Sequence, residues 1–145
     1  MTVHILTSRT SVSAQALISS GSAGNFISHH LLQRLNIKRK RCSQDLEVHT
    51  ILGKPLGHGH IRHFSPTVTL CIGCLHLEKI SFMVLEGSTA DIILGCLWML
   101  QHEPKINWNS GEILQWGESC FHDCLSPVIK IILSPALVVH HPSSP

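Results

Sequence analysis

Short apolar segments, each closed by a turn signal, are the feature that most limits how this chain can fold. Their lengths suit strands better than helices, and glycine, proline, asparagine or serine stands at their boundaries. Nothing recurs at a fixed period. We therefore predict an all-β barrel or sandwich. The predicted strands are 3–6, 13–18, 47–52, 67–72, 75–85, a buried strand from Asp91 to Gly95, and the two arms of a hairpin at 106–116.

One or two short helices accompany these strands. Ser28 is a plausible N-cap, and Leu31, Leu32 and Leu35 follow at helical spacing, which predicts a helix over His29–Leu35 with one buried face. Asn36 suits the end of this helix. A second short helical turn is predicted between Gly95 and His102.

Composition bounds the class of protein. A chain of 145 residues with 43% hydrophobic residues can form one domain, and we expect it over 1–124, with a poorly ordered tail at 125–145. The six cysteines follow no secretory signal, so we expect reduced thiols and a cytoplasmic location. No apolar run reaches the roughly 18 residues that a membrane helix needs, so we expect no membrane association.

The stretch "ALISSGSAGNF", residues 16–26, is the first candidate for a functional site. An apolar run ends at Ile18, and the small residues Ser19, Ser20 and Gly21 follow directly. Gly21 and Gly24 predict a tight loop, where the backbone bends or comes close to another group. Such a loop after a strand is where an enzyme would hold a reactive carboxylate.

Four stretches together resemble a known family. They are "ALISSGSAGNFIS", "LGKPLGHGHI", "DIILGCLWMLQHEPKINW" and "SGEILQW", and their order and spacing are similar to the retropepsin-like aspartic protease domain of gypsy-type LTR retrotransposon and retroviral polyproteins. The likeness runs from about Val3 to about Cys124. It implies a closed β-barrel of the acid-protease fold, one protomer of a homodimer, whose ancestral activity is endopeptidase action on a polyprotein.

The resemblance also implies roles for individual residues. Ser20 and Gly21 match the catalytic motif, but Ser19 stands where the family has its catalytic aspartate. The stretch at 53–60 lies where the family has its flap, a glycine-rich hairpin tip that closes over a peptide in the cleft. The implied substrate-binding residues are Gly24, Gly57, His58 and Gly59, and the implied structural residues that brace the site are Ile93, Leu94 and Gly95.

Ser19 changes the chemistry that such a site can perform. In the family, two carboxylates share one proton, so that one activates a water and the other donates to the scissile carbonyl. A serine hydroxyl does neither without a neighbouring base. His29 and His30 lie on the helix after the loop, and we expect neither Asp45 nor Asp91 to reach the position of Ser19. The sequence therefore predicts a protease fold that has lost its activity.

Cysteine and histidine pairs leave metal binding open as an alternative. The two sets with short, zinc-like spacings are Cys71, Cys74 and His76, and Cys120, His122 and Cys124. We interpret the first set as core or free thiols, because its cysteines flank a predicted turn at Gly73. Cys120 and Cys124 leave zinc or a redox-sensitive pair open. His58, His60 and His63 lie on the predicted flap and its return strand. Either His58 and His60 form a metal-binding pair, or they belong to a solvated flap tip. Our assignment contains no metal and no cofactor.

A rival function rests on the basic run 38–41 together with these pairs: a small metal-binding or nucleic-acid-binding protein. We interpret the basic run as a solvated loop. Nucleic acid binding is not favoured, since no aromatic residue interleaves the run and the chain has no tyrosine. Trp98, Trp108 and Trp116 stand in apolar segments and are predicted to pack in the core.

Overall fold

The computed structural model describes residues 1–49, 55–73 and 76–124. The predicted tail at 125–145, the residues Gly53 and Lys54 of the predicted flap, and Cys74 all lie outside these ranges. The elements in chain order are β1 (Thr2–Leu6), β2 (Ser11–Ile18), β3 (Phe26–Ser28), α1 (His29–Leu35), β4 (Lys40–His49), β5 (Pro55–Phe64), β6 (Val68–Ile72), β7 (His76–Ile80), β8 (Met83–Leu85), β9 (Ile92–Leu94), α2 (Cys96–His102), β10 (Lys105–Asn107), β11 (Glu112–Gln115) and α3 (Glu118–Asp123).

Nine of these strands form one sheet, in the order β4-β5-β8-β3-β9-β2-β1-β6-β7, and β10 pairs with β11 in a separate hairpin. Two contacts are parallel, β2 with β9 and β3 with β8. The sheet curls into a half-barrel, which confirms the predicted all-β, retropepsin-like fold class. The described ranges contain three short helices instead of the predicted one or two. None of these three is long and apolar enough to cross a membrane.

The main core is a cluster of buried apolar side chains from several strands and two helices. In β1 the buried residues Val3 and Ile5 alternate with the exposed Thr2 and His4, as the period of a half-covered strand requires. The three residues of β9 are all buried, which is typical of a strand covered on both faces. Residues of β1, β2, α1, β6, β9 and α2 join this cluster, and a smaller cluster lies beneath the β4–β5 hairpin.

Helix α1 has the bounds and the caps that the sequence predicts. The Oγ of Ser28 accepts a hydrogen bond from the backbone N–H of Leu31 at 3.0 Å, which satisfies one unpaired donor of the first turn. Asn36 ends the helix in the left-handed region, with φ of 53°. Leu31, Leu32 and Leu35 are buried against the sheet.

The stretch 75–85 is predicted as one strand, but its described residues, 76–85, contain two, β7 and β8. The buried Phe82 lies between β7 and β8, outside both strands. Its backbone N–H donates to the Oγ of Ser65 at 2.9 Å. The prediction that all three tryptophans pack in the core is wrong for Trp108, which is 73% exposed in the β10–β11 turn. Trp98 is 2% exposed, as predicted, and Trp116 is partly buried against the core.

Strand β9 is the middle strand of the nine-stranded sheet, and its burial generates a prediction for stability. Ile92 is fully buried, so Ile92→Ala should leave a cavity and lower the free energy of unfolding by about 2 to 5 kcal/mol. Leu46→Ala, at a side chain that is 45% exposed on β4, should cost no more than about 0.5 kcal/mol. Urea unfolding followed by tryptophan fluorescence measures both. Equal losses would contradict the assigned core.

Candidate functional site

The loop that follows β2 is fastened to the end of β9. The backbone N–H of Ser19 donates to the carbonyl of Leu94 at 2.9 Å, and the N–H of Ser22 donates to the carbonyl of Ser19 at 3.1 Å. The carbonyl of Ser22 then accepts from the N–H of Cys96, the first residue of α2, at 2.8 Å. The loop is thus held between the end of one buried strand and the start of a helix.

Gly95 lies where this loop leaves no room for a side chain. Its N–H donates to Oδ1 of Asn25 at 2.8 Å. A Cβ at Gly95 would lie 2.6 Å from the carbonyl oxygen of Ser22 and would also collide with that of Gly24. Both obstacles are backbone atoms, which move only if the loop moves. The loop and Gly95 are therefore in direct backbone contact.

Strand β9 touches both ends of the loop. Leu94 pairs with Ile18 at the end of β2, and Ile93 pairs with Phe26 at the start of β3. Both residues are buried, with exposures of 6% for Ile93 and 0% for Leu94. The structure thus places the predicted bracing residues beside the predicted catalytic loop.

No acid or base forms a hydrogen bond with the Ser19 side chain in the described part of the chain. Ser19 is partly exposed, Ser20 and Gly21 are exposed, and the hydroxyl of Ser19 makes no hydrogen bond to any described residue. The Nδ1 of His29 lies 3.3 Å from the guanidinium of Arg39. The loop residues 19–25 include no carboxylate and no imidazole, and so no group that transfers protons near neutral pH.

The two carboxylates considered from the sequence, those of Asp45 and Asp91, have other partners. Oδ2 of Asp91 accepts the backbone N–H of Gln15 at 3.0 Å, on the exposed side of β2. Asp45 pairs with Arg41 at 3.0 Å and with Arg62 at 3.3 Å, on the β4–β5 hairpin. These partners agree with the expectation that neither carboxylate substitutes for the one missing at Ser19.

The predicted flap residues lie on a strand. The prediction of a hairpin tip over 53–60 is wrong in extent, because residues 55–60 belong to β5. The pairs Glu47–His60 and His49–Pro55 leave residues 56–59 as a bulge opposite a single residue of β4. Gly57 and Gly59 have φ of 58° and 85°, and the N–H of His58 donates to the carbonyl of Glu86 at 2.8 Å. Their role in binding a substrate stays a prediction.

The basic run is only partly a loop. Lys40 and Arg41 begin β4, where the sequence predicted a loop, and Arg39 lies 3.6 Å from the carboxylate of Glu86. Together with the pair between Arg41 and Asp45, this contact balances part of the positive charge.

The histidines near the predicted flap lie on β5. Partial burial and then the charges of Arg39 and Arg41 lower the pKa of His63. The flap histidines belong to no group of three or more possible metal ligands in the described residues.

A second cluster of polar side chains lies inside the protein. His76, His102, Cys120 and Cys124 are buried, and one potential ligand atom from each lies within 4.8 Å of those of the others. The sequence had grouped His76 with Cys71. However, His76 pairs with Ile72, so Cys71 points to the opposite face of β6. Sequence reasoning missed His102, and the side chain of His122 lies outside the described atoms.

Glu78 connects this cluster to the core. Its carboxylate contacts Nε2 of His76 at 2.8 Å and Nε2 of His102 at 3.0 Å, and accepts from the indole N–H of Trp98 at 2.7 Å. Burial raises the pKa of Glu78, but the hydrogen bonds from His102, His76 and Trp98 outweigh burial and lower the pKa to about 2. Glu78 is therefore an anion that orients two imidazole rings.

The protein has a half-barrel sheet and a glycine-bearing loop after β2 that contacts the end of β9. Its class is that of the retropepsin-like, retrotransposon-derived protease-like domains. Residues 15–124 match the family model of the PEG10/RTL1 protease domain, and the chain belongs to this family. The match includes the Ser19 loop, the β4–β5 hairpin and the buried cluster. A similar solved structure is the retroviral protease-like domain of Ddi1 from Leishmania major, with 14% identity over 74% of this chain and 81% of that chain and a TM-score of 0.49.

The contact at Gly95 generates a prediction for stability. Gly95→Ala should lower the free energy of unfolding by about 1 to 3 kcal/mol, because the new Cβ meets backbone carbonyls. Gly24→Ala is the matched control, since its Cβ meets only the terminal methyl of Met83, which can rotate away. Chemical unfolding compares the two variants. A larger loss for Gly24→Ala would contradict the assigned packing.

Proposed function

We propose that this chain is a catalytically inactive aspartic-protease-like domain that forms a homodimer and binds an extended peptide or polyprotein segment. The single observation that carries the proposal is Ser19 within an otherwise formed loop. That loop keeps its turn, its hydrogen bond to Leu94 and its close contact with Gly95. The replaced residue is the one that performs the chemistry in the family. The ancestral role is cleavage of a gypsy-type retrotransposon polyprotein.

The loss of activity follows from proton transfer. A homodimer with Ser19 in both loops contains neither the carboxylate that activates water nor the one that protonates the substrate. General acid–base catalysis alone contributes roughly 100- to 10,000-fold to rate. A serine nucleophile would need a base, and the described residues of one protomer supply none to Ser19. The protein that remains can hold a peptide without cleaving it.

Exposed leucines support the dimer. Leu97 and Leu100 lie on α2, directly after Gly95, and are 68% and 67% exposed. Leu17, two residues before Ser19, is 55% exposed. Apolar side chains that flank the loop in this way would be covered by a second copy of the chain, which would also bring the two Ser19 loops together. We further propose that the dimer acts in the cytoplasm.

The rival function, a small metal-binding or nucleic-acid-binding protein, is not favoured. Most of the chain matches a protease family. In the basic run that motivated nucleic acid binding, both arginines, Arg39 and Arg41, form ion pairs.

Restoring the carboxylate tests the loss of activity. Ser19→Asp should cleave a polyprotein-like peptide in a pepstatin-sensitive reaction, because the loop already has the required backbone form. The wild type should show no pepstatin-sensitive cleavage. Ser20→Asp is the matched control, since it adds the same charge one residue away, and it should stay inactive. Fluorogenic peptide hydrolysis measures all three, and pepstatin-sensitive cleavage by the wild type would overturn the proposal.

Adding charge to α2 tests the dimer. Leu97→Glu should weaken dimerisation roughly tenfold or more, equivalent to about 1.4 kcal/mol, because it places a carboxylate in the proposed interface. Gln101→Glu adds the same charge to an exposed position of the same helix and should have a smaller effect. Sedimentation velocity over a concentration series measures the dissociation constants. A wild type that stays monomeric at all concentrations would refute the dimer.

A further inference from the structure

Four potential metal ligands converge from three separate elements. His76 is the first residue of β7, His102 is the last residue of α2, and Cys120 and Cys124 lie in α3 and at its C-cap. Their exposures are 0%, 1%, 0% and 7%, respectively. Two imidazoles and two thiols with one ligand atom each within 4.8 Å are an unusual composition for the interior of a small domain.

The orientation of the histidines points their Nδ1 atoms away from Glu78. Glu78 occupies Nε2 of both rings. The Nδ1 of His76 is buried and has no hydrogen-bond partner among the described residues. A buried nitrogen without a hydrogen-bond partner is unfavourable, and a ligand at this atom would satisfy it. The Nδ1 of His102 lies 3.1 Å from Sγ of Cys120 and 3.7 Å from Sγ of Cys124.

The distances from Nδ1 of His102 to the two sulfurs are close to those of a tetrahedral zinc site. Bonds of about 2.0 Å to nitrogen and 2.3 Å to sulfur place tetrahedral ligand atoms roughly 3.3 to 3.8 Å apart. The two distances from His102 lie at or close to this range. A set of two thiolates and two imidazoles selects zinc among the divalent metals available to proteins. Four protein ligands leave no open position, so such an ion is structural.

Glu78 has the position of an outer partner to the ligands. Histidines that bind metals usually donate their second N–H to a carboxylate, which fixes the tautomer and the ring orientation. One carboxylate performs this role for both His76 and His102. Trp98 contacts the same carboxylate, and the ring of Trp116 stacks on His76 with centroids 3.9 Å apart. The cluster is therefore preorganised and excluded from solvent.

We propose that His76, His102, Cys120 and Cys124 bind one structural Zn²⁺ through the two Nδ1 atoms and the two sulfurs. Binding releases the two thiol protons to solvent, and each resulting thiolate donates an electron pair to the ion. The site joins α3 to β7 and to the end of α2.

The location of this site gives the ion a role in the architecture. Helix α2 begins at Cys96, whose N–H donates to the Ser19 loop, and ends at the ligand His102. Helix α3 spans only six residues and would not be stable alone. The ion would fix both helices to the sheet, at the opposite end of α2 from the loop. This inference does not depend on the loss of peptidase activity, and Ser19→Asp should leave the zinc content unchanged.

Metal content is the first test. Protein purified under reducing conditions with zinc in the medium should contain one zinc per chain by elemental analysis. Its cobalt derivative should show the absorption of a tetrahedral site with two sulfur ligands. The double variant Cys120→Ser, Cys124→Ser should lose the metal. The matched control Cys42→Ser, Cys96→Ser changes two cysteines outside the cluster and should retain it.

Measurements on the intact fold keep the proposal testable if the ligand variant does not fold. A zinc chelator should lower the melting temperature of the wild type, and zinc but not magnesium should restore it. Glu78→Gln keeps all four ligands and should weaken zinc affinity about 10- to 100-fold. Wild-type protein that contains no zinc and does not respond to added zinc would overturn the site. So would a disulfide between Cys120 and Cys124 in the protein purified under these reducing conditions.

Discussion

The structure depends on the three buried residues of β9. This strand pairs in parallel with β2 and antiparallel with β3, so it joins the two segments that enter and leave the Ser19 loop. It is followed at once by Gly95, whose missing side chain lets the loop approach. Burial of β9 and the geometry of the loop are therefore one constraint. A replacement at Ser19 leaves it intact, because the contacts of Ser19 with the rest of the protein are made by its backbone.

Helix α2 runs from the Ser19 loop to a second polar centre, the cluster of His76, His102, Cys120 and Cys124. Its first residue donates a hydrogen bond to the loop, and its last residue belongs to the cluster that Glu78 organises. Buried polar groups are stable only when they have partners, and here an anion, two imidazoles and an indole supply most of them. The loop and the cluster are thus two separate polar sites at opposite ends of one short helix.

Local signals made parts of this structure predictable from sequence. Helix α1 follows from Ser28, Asn36 and the spacing of three leucines, all within nine residues. The loop and its contact with β9 were expected from the resemblance to a family. In that family the strand that corresponds to β9 braces the catalytic loop. The bulge at Gly57–Gly59 was not predicted, because it depends on a hydrogen bond to Glu86, far along the chain. Trp108 was misassigned because an apolar segment does not reveal that its turn faces solvent.

The candidate metal site could likewise be predicted only in part from the sequence. The spacing of Cys120 and Cys124 suggested a pair of ligands, but the partners His76 and His102 come from elements that only tertiary packing brings together. The helical period could have indicated His102, since it lies one turn beyond the buried Trp98 on the same face of α2. Nothing local identified Glu78 as the residue that orients both rings.

The central claim is that this protease fold holds serine where catalysis needs a carboxylate. The most direct measurement is the rate at which the wild-type chain hydrolyses a polyprotein-like peptide, with and without pepstatin. It is made at concentrations where sedimentation shows the proposed dimer. We expect the same background rate in both conditions. A rate that pepstatin abolishes would contradict it.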